Sequence, residues 1–163
     1  MNKDINYKVH DSPERSFVKV CSKASYLNCN PIREFFNNRL DAGQYHFVVD
    51  FKDCKSIDST FLGILVRVAI KVKTEGSLSL LNLEGRNLET VKNLGIHKIA
   101  HVSSETIEEF AELKNINSSK NSEEASSSII YQAHKALADL NNKNQRIFCD
   151  VIKFLEQKME DSQ

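Results

Sequence analysis

Residues 48–83, VVDFKDCKSIDSTFLGILVRVAIKVKTEGSLSLLNL, contain a strand, a helix and a second strand in immediate succession. The first strand, at 46–51, is apolar on both sides, which is typical of a central strand covered by helices. Residues 60–73 have few polar positions and are followed by Gly76, a common helix terminator. A second apolar strand follows at 78–83. This order predicts a crossover unit whose two strands run parallel.

The flanking residues predict the rest of the domain. Asp, Ser and Pro at 11–15 supply turn chemistry between two strand-like runs, so we expect an N-terminal hairpin. The predicted fold class is α/β, with a mixed sheet of four to five strands and helices packed on it. Outside the crossover unit, we expect strands at 5–9, 17–21 and 98–102 and helices at 30–42, 86–95 and 104–114.

The composition changes after residue 114. Half of residues 117–128 are serine, which is typical of a flexible linker. We therefore divide the chain into a domain at 1–114, a Ser-rich linker at 115–128 and a C-terminal amphipathic helical extension at 129–160. The extension carries an apolar stripe that needs a covering surface. It can fold back onto the domain or present the stripe to a partner, including a second copy in a homodimer.

Charge and composition exclude several classes of function. Lys plus Arg equals Asp plus Glu at 22 each, so the chain lacks the basic surface of a nucleic-acid or anionic-membrane binder. No apolar run is long enough to span a membrane, and the N-terminus lacks the pattern of a signal peptide. The four cysteines form no CxxC pair, which fits reduced thiols. We expect a cytoplasmic protein without membrane insertion, cofactor or metal.

Asp58, Ser59 and Thr60 stand between the first strand and the crossover helix. Asp and Ser are good helix N-caps, so capping alone accounts for these residue types. Ligands and reactive groups, however, gather at the carboxyl ends of parallel strands, where helix N-termini point outward. A phosphate on Ser59 would face unpaired backbone N–H groups at such a position. Both interpretations stay open on the residues alone.

The stretch at 48–83 resembles the signature of STAS domains, the family of bacterial anti-sigma factor antagonists. The usual motif is Asp-Ser-Ser/Thr-Gly-Leu-Gly at the start of the crossover helix, and here it reads Asp58-Ser59-Thr60-Phe61-Leu62-Gly63. FVKVCSKA at 17–24 and NLGIHKI at 93–99 also match the order of family elements. The resemblance covers about residues 5–113. Phe61 departs from the usual Gly, and it can pack on the domain or stand exposed as a contact.

The resemblance implies a regulatory protein, not an enzyme. Its phosphorylated residue would be Ser59, with Thr60 as the alternative hydroxyl, and its partner-binding surface would be Asp58, Ser59, Thr60, Phe61, Leu62 and Gly63. The implied partners are an anti-sigma factor that is also a serine kinase and a phosphatase that restores the unphosphorylated form. Phosphorylation breaks the complex with the anti-sigma factor in this scheme of transcription regulation.

Two other functions compete with this hypothesis. A STAS domain can serve as an accessory subunit of a transport or signalling complex without phosphorylation, and then Ser59 and Thr60 only cap the helix. An enzyme with its site at the same loop is the third alternative. It has little support, because no set of acid, base or metal ligands stands near this loop in the sequence.

Overall fold

A mixed β-sheet forms the centre of the molecule in the computed structural model, which describes residues 6–107, 113–116 and 124–161. In chain order the strands are β1 (Tyr7–Asp11), β2 (Ser16–Val20), β3 (Lys23–Ala24), β4 (His46–Asp50), β5 (Ser56–Ile57), β6 (Ser77–Leu81), β7 (His101–Ser103) and β8 (Lys114–Ile116). Within the described residues, six of them form one sheet in the order β7-β6-β4-β2-β1-β8, and β3 pairs separately with β5.

Five α-helices are present in the same ranges. They are α1 (Asn30–Asp41), α2 (Ser59–Val72), α3 (Gly85–Asn93), α4 (Ser127–Ala138) and α5 (Asn142–Asp161), with a 3-10 turn at Ile96–Lys98. Strands β2, β4, β6 and β7 run parallel, whereas β1 is antiparallel to both β2 and β8. The predicted β4-α2-β6 crossover, the N-terminal hairpin and the α/β class are confirmed. No helix among these residues has the length and apolar character that a membrane span requires.

Three sequence expectations need correction. Among the residues that the structure describes, the main sheet has six strands instead of four to five, because Lys114–Ile116 pairs with β1. The strand expected at 98–102 begins only at His101, since Gly95 takes a positive φ of 80° and starts the 3-10 turn. The helix expected at 104–114 falls partly on 108–112, outside the described residues; residues 104–107 are not helical and Lys114 lies in β8.

Alternation along the strands divides the apolar side chains between the two faces of the sheet. Val18, Phe47, Val49 and Leu80 belong to the main core, which lies against the helices. Their neighbours in sequence point the other way and form a small second cluster. That cluster consists of Phe17, Val48 and Leu81, with the partly buried Ile107 and Leu113 against it.

The C-terminal helices belong to the main core. Leu137, Phe148 and Leu155 are buried, and Leu137 and Phe148 join the same apolar cluster as the sheet and α2. Helix α4 begins at Ser127, slightly before the expected start of the extension, with the Ser126 side chain accepting a hydrogen bond from the Ile129 amide. Part of the Ser-rich segment, 117–123, lies outside the described residues. The division into domain, linker and extension stays a prediction.

Candidate functional site

Asp58 forms the N-cap of helix α2. Its Oδ1 accepts a hydrogen bond of 2.9 Å from the Phe61 amide, so one of the unpaired donors of the first turn is satisfied. Its Oδ2 accepts a second bond of 2.8 Å from the Tyr26 amide. Asp58 therefore joins the helix start to the loop before α1.

Ser59 is the first residue of α2 and takes no part in the cap. Its Oγ lies 2.8 Å from Nε2 of His134 in α4, and the pair is partly buried. The Nδ1 atom of His134 lies 2.7 Å from the Ile130 carbonyl oxygen. Because a carbonyl can only accept, Nδ1 carries a proton, and in the neutral ring Nε2 accepts the hydrogen of Ser59. Of the two good capping residues, Asp58 caps the helix, whereas Ser59 forms a contact between two helices.

The remaining residues of the motif are buried. These four are Thr60, Phe61, Leu62 and Gly63. Thr60 is only 4% exposed. Phe61 stacks on Tyr7 with ring centroids 5.9 Å apart and planes 5° from parallel. Phe61 therefore packs on the domain and is not exposed as a contact for a partner. Four of the six residues predicted to bind a partner are therefore buried in this conformation.

Burial raises the pKa of the Tyr7 hydroxyl and of two cysteine thiols. The Tyr7 pKa is raised well above its usual range, and its hydroxyl donates to Asn28 Oδ1 at 2.8 Å. The pKa values of Cys29 and Cys54 are raised to about 11, chiefly by burial. These two thiols are therefore protonated near neutral pH, and neither is an activated nucleophile.

Helix α4 crosses α2 at Gly63 in backbone contact. A Cβ at this position would lie 2.2 Å from the Ala133 carbonyl oxygen, far inside contact distance. Only glycine therefore permits this approach of the two helices. The same glycine that completes the motif also sets the position of the C-terminal extension.

The turn between α4 and α5 is attached to the end of α3. Asn144, which is 0% exposed, donates from Nδ2 to the carbonyls of Leu94 and Leu137 at 2.8 and 2.9 Å. Lys143 reaches the Asn93 carbonyl at 3.3 Å. The hairpin of α4 and α5 is thus held both by α2 and by the C-terminal end of α3.

Sequence reasoning missed the contribution of α4 to this site. From its position among Ala133, Lys135 and Ala136, the sequence predicts a partly exposed His134. This prediction is wrong, because His134 is 6% exposed and its ring meets that of Phe148 edge-on, with centroids 5.4 Å apart. The helical spacing of Ala133, Leu137 and Leu140 indicates a buried stripe. This spacing does not identify Ser59 as the neighbour of His134. That pairing depends on how two segments 75 residues apart meet.

The comparison with protein families decides the classification. The STAS domain model matches residues 4–109, more than half of the chain. This chain belongs to the STAS domain family. No curated protein sequence matches it at a significant level. Helices α4 and α5 follow the last matched residue, so the family model does not include them.

Solved structures of anti-sigma factor antagonists share the fold. The unphosphorylated form of SpoIIAA superposes with a TM-score of 0.53 at 16% identity, over 64% of this chain and 93% of its own. An antagonist from Mycobacterium paratuberculosis gives 0.54 at 17% identity, over 62% of this chain and 86% of its own. A Thermotoga maritima protein assigned to the same class gives 0.55 at 17%, over 63% and 89%. This STAS-domain chain thus covers most of each of these structures and contains further residues that they do not match.

Proposed function

We propose that this STAS protein is an anti-sigma factor antagonist of the bacterial cytoplasm, controlled by phosphorylation of Ser59. The observation that carries the proposal is the position of Ser59 in the family motif, directly after the capping Asp58. Because Asp58 satisfies the cap, the Ser59 hydroxyl is not needed for helix stability. Thr60 is a poorer acceptor of phosphate, since its side chain is buried.

A phosphate on Ser59 would act through charge. It adds about −1.5 to −2 charges at a helix N-terminus, where the helix dipole tolerates them. In the centre of a protein interface the same charge is costly to desolvate and repels carboxylates of the partner. The unphosphorylated chain accordingly binds an anti-sigma factor, that factor phosphorylates Ser59 to end the complex, and a phosphatase restores it. In this scheme the chain is the substrate of the kinase and not itself an enzyme.

The first test is the mass of the protein purified from its own organism, before and after phosphatase treatment, with the phosphate located by fragmentation. We expect a phosphatase-sensitive phosphate on Ser59, absent from Ser59→Ala and retained in the matched variant Thr60→Val. If Ser59 carries no phosphate under any growth condition, the proposed control by phosphorylation is wrong.

An unphosphorylated accessory subunit is the second candidate, and one observation favours it. The Ser59 hydroxyl is already bonded to His134 and partly buried, so it is not presented to a kinase in this conformation. Under this alternative, Ser59→Ala and Ser59→Asp would bind the same partner equally well. The antagonist hypothesis requires that only Ser59→Ala binds.

The proposed assembly includes a second copy of the chain, bound through α5. Ile147 and Phe154 lie seven residues apart on this helix, two turns on one side, and are 51% and 66% exposed. The partly buried Val151 stands between them. Apolar side chains of this size are costly to leave in water, and the zero net charge of the chain creates no overall repulsion between copies.

A further inference from the structure

Helix α4 lies on the part of α2 that the family motif occupies. The closest approach is between Gly63 and Ala133, at backbone contact, and Ser59 is bonded to His134 one turn earlier on α2. The segment before α4 continues this cover toward the helix N-terminus. There the Ala125 amide donates to the Tyr26 carbonyl at 2.7 Å, and the Tyr26 amide donates to Asp58.

The Ser59–His134 contact leaves no room for a phosphate. In the neutral ring, whose Nδ1 is bonded to the Ile130 carbonyl, the Ser59 hydrogen points toward Nε2, and Oγ and Nε2 are 2.8 Å apart. Phosphoryl transfer replaces that hydrogen by phosphorus with three further oxygens. A hydrogen-bonding distance cannot contain these atoms, so Ser59 is not modified while this contact is intact.

The contacts of the C-terminal hairpin are arranged so that it can leave as a unit. Helix α5 packs on α4, with Phe148 against His134, and α4 packs on α2. None of the six strands of the main sheet includes residues of the hairpin. Separation therefore breaks side-chain packing and a few hydrogen bonds but no strand pairing. Units of this kind open at lower free energy than the sheet to which they are attached.

We propose that α4 and α5 form a cis-acting cover, which keeps the Ser59 face of α2 closed until the hairpin dissociates from it. In the closed state neither a kinase nor an anti-sigma factor reaches Ser59. In the open state the first turn of α2 becomes accessible to both. The proposal deepens the proposed function by adding a closed state to it, but the test of the cover does not require that Ser59 be phosphorylated.

Gly63→Ala is the most selective way to open the cover. The added Cβ collides with the Ala133 backbone and forces α4 away, whereas alanine is otherwise favourable to α2, since glycine is the poorer helix former. Hydrogen–deuterium exchange of the full chain, followed by mass spectrometry, reports each segment separately. The matched control is Lys73→Ala, an exposed change at the end of the same helix.

In the unaltered chain we expect the amides of α4 and α5 to exchange faster than those of β4 and β6. Gly63→Ala should raise their exchange about tenfold or more and leave β4 and β6 unchanged, and Lys73→Ala should change neither. The proposal would be overturned if the amides of α4 and α5 exchanged no faster than those of β4 and β6 in the unaltered chain and in both variants. If Gly63→Ala does not fold, His134→Ala gives the same comparison, because it removes the bond to Ser59.

Phosphate occupancy separates the two proposals. In the native organism, Gly63→Ala should carry more phosphate on Ser59 than the unaltered chain, while Lys73→Ala should carry the same amount. A bare Ser59 in all three chains contradicts the proposed function and leaves the exchange result as the test of the cover. Faster exchange in Gly63→Ala with an unchanged, nonzero phosphate level would contradict the role of the cover in protecting Ser59.

Discussion

At the scale of single residues, Phe61 shows how a departure from the family motif is accommodated. The position that usually holds glycine contributes a fully buried ring that stacks on Tyr7. Phe61→Ala should therefore lower the free energy of unfolding by about 3–5 kcal/mol, measured by denaturant titration. Leu27→Ala is the control, and its loss should stay within about 0.5 kcal/mol because the Leu27 side chain is largely exposed. Equal losses in the two variants would contradict this account of Phe61.

The residue scale also shows the limit of sequence reasoning about the site. Asp58 was predictable as a cap, since the preference follows from local chemistry between a side chain and amides three residues away. His134 was not, because its neighbours in sequence say only that the segment is helical and partly apolar. The Ser59–His134 contact arises from the crossing of α2 and α4, and a crossing is set by tertiary packing.

At the scale of elements, Asn144 holds the C-terminal hairpin to the end of α3. Its buried amide satisfies two carbonyls, those of Leu94 and Leu137. Asn144→Ala removes both of these buried hydrogen bonds, each worth about 0.5–1.5 kcal/mol, and should cost about 1–3 kcal/mol in the free energy of unfolding, measured by urea titration. The matched variant Lys143→Ala removes an exposed contact with Asn93 and should cost far less. A loss in Asn144→Ala no larger than in Lys143→Ala would show that this attachment contributes nothing.

The elements themselves were predictable to different degrees. The β4-α2-β6 unit carries its own pattern, with apolar strands, a periodic helix and Gly76 between them, so its order followed from the sequence. Short edge strands carry no such pattern. Lys114–Ile116 is polar at two of its three positions and becomes a strand only because β1 offers an unpaired edge.

At the scale of the whole molecule, the two sides of the C-terminal hairpin differ in what they contact. Its inner side covers α2, with Ala133 and His134 at the contact, and its outer side exposes apolar side chains of α5. The sequence predicted a stripe and left open whether the domain or a partner receives it. The same helix pair can pack on the domain and also bind a partner, because the apolar residues of α5 lie on more than one face of the helix.

The outer side leads to a prediction about assembly. If a second copy binds through Ile147 and Phe154, the full chain should self-associate as its concentration rises, measured by sedimentation equilibrium. Phe154→Asp places a charge in the apolar contact and should weaken association about tenfold or more, since a buried unpaired charge costs several kcal/mol. Lys153→Ala, an exposed change on the same helix, should leave association unchanged. A chain that remains monomeric at all concentrations, or equal association in both variants, would exclude a dimer through this side of α5.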